Sequence, residues 1–133
     1  MTLKAVLWFK ILVTVGLWAV PLMFVPPGTF HDLGFPAPGT MVFLRLLAAA
    51  FLALLAGYLL GLRALNRGEF PAQTVTVGLV SNGLACLIIV VYGIAGEYGD
   101  WGVCARTFMW ISAAATGFVT LGLLLTGRRP SAS

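Results

Sequence analysis

The chain has 133 residues, 60% of them hydrophobic and 9% charged, with a mean hydropathy of +1.02, which leaves too little polar surface to cover a soluble domain. The +4 formal charge does not point to nucleic acid, because the eight basic residues stand singly or in pairs near helix ends instead of forming a patch. Two cysteines without CxxC spacing argue against a disulfide framework, a structural zinc site and a thioredoxin-type redox pair.

The first apolar segment, residues 5–25, is long enough for a helix of roughly 30 Å, with Pro21 expected to kink its last third. It is longer than the apolar region of a signal peptide and runs into VPPGTF, not a small-x-small cleavage site, so it is expected to be retained. Lys4 and Lys10 lie at its start. Lys10 is about a turn and a half inside, and the expectation is that its stem carries the ammonium back to the headgroups; the alternative is a buried partner or a functional ammonium. Residues 26–40 hold four prolines and three glycines, enough to stop a helix and form a compact loop resting on the membrane interface.

Residues 41–63, MVFLRLLAAAFLALLAGYLLGLR, carry seventeen uncharged residues between Arg45 and Arg63 and read as a membrane-crossing helix. Ala49, Ala53, Gly57 and Gly61 recur every fourth residue, a strip where another backbone can approach closely, either within the bundle or at a seam between copies. A short polar connection leads to a third helix over 75–94, in which Ser81, Asn82 and Gly83 stand together and the Asn82 amide must find a partner. The glycine- and charge-rich stretch 96–106 is the next turn. A fourth helix follows over 107–126, with Ser112, Thr116 and Thr120 on one face beside Ala113 and Gly117. Hydroxyls at that spacing can bond back to their own helix. Arg128 and Arg129 close the apolar part, and 127–133 reads as a disordered tail.

The pattern predicts an all-α integral membrane four-helix bundle in a single domain. Lys4, Lys10, Arg63, Arg67, Arg128 and Arg129 fall on one side, against Arg45 and Arg106 on the other, and six against two places both termini in the cytoplasm. Offsetting the chain by 65 residues matches Gly28 with Gly93, Asp32 with Glu97, Gly57 with Gly122 and Arg63 with Arg128. This is either a parallel repeat of two helical hairpins or coincidence within the narrow alphabet of membrane helices.

Most polar groups collect at the outer face: His31, Asp32 and Arg45 from one hairpin; Glu97, Tyr98, Asp100, Trp101, Cys104 and Arg106 from the other. The expected ion pairs are Arg45 with Glu97 or Asp100, and Arg106 with Asp32, either tying the loops together or rimming a cleft for a lipid-like or quinone-like molecule. His31, the only histidine, has no nucleophile at a recognisable spacing, so no catalytic residue is assigned; no metal site and no cofactor are expected either. Cys86 and Cys104 are expected as free thiols at different depths.

The segment LGFPAPG (residues 33–39), followed by the alanine-, leucine- and glycine-rich helix ending GLR at Arg63, resembles the small bacterial four-helix membrane proteins grouped around DoxX and BphX. The resemblance implies four spans in a bacterial inner membrane, and supplies no catalytic residues. The chain departs from that pattern at Arg45, where DoxX-like proteins often place an acidic residue. RALNRGEFP is similar to the RAHxNxxE motif of the MAPEG glutathione-dependent membrane enzymes, but lacks its histidine, is one residue short and follows the second helix instead of the first.

Two functions follow as expectations. One is a non-enzymatic accessory subunit or self-associating component, working through its small-residue faces in a homo-oligomer or larger membrane complex. The other is a binder or carrier of a small lipid-like or quinone-like molecule in an outer cleft.

Overall fold

A computed structural model describes residues 2–36 and 40–127. The expectations for Arg128, Arg129 and the C-terminal tail, and Ala37 to Gly39 of the LGFPAPG segment, lie outside the described residues. Four helices are long and apolar enough to cross a membrane: α1 (Leu3–Phe24), α3 (Met41–Asn66), α4 (Ala72–Ile94) and α5 (Val103–Thr126). A short helix, α2 (Pro27–Asp32), stands in the first connection. That connection was expected to be loop. Pro27 sits in the first turn of α2, where a missing N–H costs nothing, so prolines start this helix instead of preventing it.

Thr2 caps α1, its hydroxyl accepting from the Ala5 N–H at 3.3 Å, and Thr40 caps α3 by accepting from Val42 at 3.3 Å. Within α1, Thr14–Ala19 takes π-helical pairing, with the Val20 N–H reaching back to the Val15 carbonyl. Pro21 follows immediately. Its ring would collide with the carbonyl four residues back in a regular α-helix, and a wider turn just before it opens the ladder there.

The second hairpin, α4 with α5, is closely packed along its length. Small residues allow it: Gly78 lies under the Leu123 side chain, and Cys86 sits against Gly117, its thiol reaching the Ala113 carbonyl at 3.4 Å. Thr116 and Thr120 bond back to the Ser112 and Thr116 carbonyls, both at 2.8 Å, so these hydroxyls are satisfied within α5. The first hairpin, α1 with α3, joins the second mainly through α1 against α5, whereas α3 touches α4 sparingly. A core of Val6, Leu7 and Ile11 from α1, Tyr58 and Leu62 from α3, and Val119 and Leu123 from α5 sits nearer the end that carries the termini.

At the other end the two connections meet backbone to backbone. The Gly102 N–H donates to the Gly34 carbonyl at 2.8 Å. A Cβ on Gly34, which has φ of +79°, would stand 2.5 Å from the Gly102 Cα, so both glycines are required for the contact.

Of the two expectations for the small-residue strip of α3, close packing within the bundle is met at Gly61 alone. Ala49, Ala53 and Gly57 are exposed, while Ala48, Tyr58, Gly61 and Leu62 are buried. Only Gly61 of the strip meets another helix closely, with Thr74 against it; at Gly57 the Thr74 hydroxyl reaches the carbonyl at 3.3 Å but the space where a Cβ would stand is open. The buried face lies one residue round because α3 packs on α1 with its larger side chains, Tyr58 and Leu62, filling the gap.

Candidate functional site

Aromatic side chains from four helices and two connections converge below the Gly34–Gly102 junction. Phe35 is the centre: its ring lies 5.9 Å from Phe30, 5.9 Å from Trp101 and 5.8 Å from Phe108. Trp18 of α1 packs edge-on to Phe108 at 5.0 Å and against Phe51 at 5.7 Å. Edge and tilted contacts leave space between rings, and here they wall a cavity of about 510 Å³. The rest of the lining, Gly16, Leu22, Leu47 and Met109 among it, is aliphatic, and no charged residue takes part.

Trp101 is the one residue of the expected outer cluster that lines this cavity. Tyr98 stands behind it, buried, its ring 4.9 Å from Trp101 and its hydroxyl donating to the Ile89 carbonyl at 2.9 Å. Burial raises the Tyr98 phenol above its usual pKa, which keeps it a neutral donor.

The charged residues do not rim the cavity as expected. Arg45 donates to the carbonyls of Leu22 at 2.5 Å and Val25 at 3.0 Å, so it closes the end of α1 in place of an ion pair with Glu97 or Asp100. The reason is the helix end itself: its last carbonyls have no intrahelical donors, and a guanidinium fork one helix away can supply two. Arg106 is exposed on the other side of α5, beside Trp110 and Ile111, and makes no ion pair with Asp32. His31 and Asp32 are exposed, 3.9 Å apart, a pair that solvent screens almost completely. Glu97 and Asp100 are exposed in the connection between α4 and α5. No acid–base or nucleophilic arrangement joins these groups among the described residues, and no group of three or more His, Cys, Asp or Glu gathers there to hold a metal.

A second polar constellation lies inside the bundle. Lys10 does not snorkel: it is 7% exposed, and its ammonium stands over the Tyr58 ring, 6.0 Å from the centroid. The Tyr58 hydroxyl in turn shares a hydrogen bond with Ser81 at 3.1 Å and accepts from the Asn82 amide at 3.3 Å. Asn82 is thus anchored across helices, as a buried amide requires, and also donates to the Gly78 carbonyl at 2.7 Å. Thr14 Oγ1, Asn82 Oδ1 and Ser112 Oγ are buried without a hydrogen-bond partner.

The sequence reading did not single out Trp18, Phe35, Phe108 or Met109. Their signal was present as aromatics near the outer ends of separate segments, but it is visible only once the two connections are known to meet. Nothing in the sequence marks Tyr58 off from the other large residues of α3. No family model, curated protein or solved structure matches the chain, so its site is described by its own residues.

Proposed function

We propose that the protein is a multi-pass membrane protein, both termini cytoplasmic, that binds or carries a small hydrophobic molecule of lipid-like or quinone-like character in the aromatic cavity. The observation that carries this reading is the lining: Trp18, Phe35, Trp101 and Phe108 around about 510 Å³ of space with no charged side chain in its wall. A flat ring system suits it, because it can lie against aromatic faces and edges. Arg45 holds α1 and α3 together at the cavity's margin and does not select the ligand by charge. The six-to-two distribution of basic residues supports the orientation, which puts the cavity near the outer surface.

Trp18 and Trp101 are built-in reporters. Titrating the detergent-solubilised protein with a short-chain quinone is expected to quench tryptophan fluorescence saturably. Gly16 lines the cavity and has open space where a Cβ would stand, so Gly16→Leu should fill it and weaken binding about tenfold, the equivalent of one or two buried methylenes. Linear, unsaturable quenching that is the same in both proteins would rule the reading out.

A second reading, association with copies of itself or with a larger complex, is favoured by one observation: Ala49, Ala53 and Gly57 form a bare face on α3. Native mass spectrometry from mild detergent separates the two readings. A discrete oligomer lost in Ala53→Leu supports association, and a monomer carrying a small-molecule mass supports binding.

A further inference from the structure

The bundle interior contains a positive charge that no carboxylate among the described residues neutralises. The four acidic residues, Asp32, Glu69, Glu97 and Asp100, all lie outside the four long helices. Lys10 is 7% exposed and meets an aromatic face instead of a carboxylate. Such a ring attracts an ammonium but does not neutralise it, and an ionised side chain at this depth in a bilayer calls for a partner. Thr14, one turn further along the same face of α1, keeps a buried hydroxyl with no partner of its own.

Tyr58 connects this charge to the lipid side of the molecule. It lines a groove of about 660 Å³ between α3 and α4, whose walls include Ala53, Leu54, Gly57 and Val77. Tyr58 is 1% exposed, so its ring closes the groove off from the Lys10 ammonium that stands over its face. A mostly apolar groove separated by one ring from a cation without a carboxylate partner, with the unpartnered Thr14 hydroxyl one turn away, has the complementarity of an amphiphile with one acidic end.

We propose that Lys10, Thr14 and Tyr58 form the head-group subsite for a single-chain carboxylate amphiphile, a fatty-acid-like molecule whose chain lies in the α3–α4 groove. The Tyr58 ring turns aside to admit the carboxylate, which takes the ammonium as counter-ion and the Thr14 hydroxyl as a donor. Charge selects the acid, and the groove selects the chain. This site is separate from the aromatic cavity, which lies at the opposite end of the bundle and has no charge in its wall.

The test uses the full-length protein in detergent, with palmitate and its uncharged methyl ester as probes, read by native mass spectrometry. The wild type is expected to retain palmitate at least about tenfold more strongly than the ester. Lys10→Met should remove that preference, Lys10→Arg should keep it, and Val77→Trp should weaken palmitate by obstructing the groove. An excess of the short-chain quinone should leave palmitate bound. Equal retention of acid and ester by the wild type, or a preference that survives Lys10→Met, overturns the proposal; so does displacement by the quinone, which would place the acid in the aromatic cavity. If Lys10→Met does not fold, the acid-to-ester ratio of the wild type and the Val77→Trp variant decide the matter.

Discussion

Arg45 illustrates how a single residue changes meaning between sequence and structure. In the sequence it is a cation level with the headgroups, for which an acidic partner on a neighbouring loop is the economical expectation. The carboxylates of Glu97 and Asp100 remain in water, where an ion pair gains little, while the end of α1 offers two carbonyls that have no other donor. Arg45→Ala should therefore destabilise the fold by about 1–3 kcal/mol by leaving buried acceptors unsatisfied. Glu97→Gln and Asp100→Asn should leave stability unchanged, all three being measured by unfolding in detergent. Arg67 and Glu69 make the opposite case: two contacts at 3.0 and 3.1 Å hold the Glu69 carboxyl below its ordinary pKa and the Arg67 guanidinium above its own. A lowered carboxyl contributes above its unfolded value and loses that contribution as pH falls through the folded one. The pair is fully exposed, so Glu69→Gln is expected to leave the thermal midpoint unmoved at neutral pH.

At the scale of elements, hydropathy made the four long helices readable, because a lipid environment demands continuous apolar runs and tolerates little else. It could not say which face of each helix is buried. In lipid, a small residue facing outward costs little, so the Ala49–Gly57 strip gives no clue to its own burial, and the larger Tyr58 and Leu62 turn inward instead. The meeting of the connections was equally hidden, since Gly34 and Gly102 are far apart in sequence and only the backbone contact shows why both are glycine. Gly34→Ala should cost more than about 1 kcal/mol, combining a positive φ with a Cβ driven into Gly102. Gly28→Ala is the control. It lies in α2 with open space around the missing Cβ, and should be neutral or stabilising in the same unfolding experiment. The Gly34 variant should also loosen the aromatic wall beneath it, seen as a red shift of tryptophan emission.

For the whole molecule, the polar groups divide into two levels that the sequence ran together or missed. The outer cluster read from His31 to Arg106 separates into charges that lie outside an apolar aromatic cavity and Trp101, the only member of that cluster in the cavity's wall. For the interior cluster around Lys10 the sequence leaves two outcomes open, because a lysine so near a helix start can reach water or turn inward, and the position of Tyr58 shows it turned inward. Both functional readings depend on which end of the bundle faces outward, and the two cysteines can determine that directly. Cys104 is exposed near the start of α5, beside the α4–α5 connection, whereas Cys86 is half-buried within α4 against Ala113. A membrane-impermeant maleimide applied to intact spheroplasts is expected to label Cys104 and spare Cys86. Cys86→Ser should leave labelling intact and Cys104→Ser should abolish it. Labelling that appears only after the membrane is permeabilised would reverse the orientation, placing the aromatic cavity on the cytoplasmic side and bringing Lys10 and its groove toward the outer leaflet. The source of each ligand would then exchange sides, while the chemistry of each site would not change.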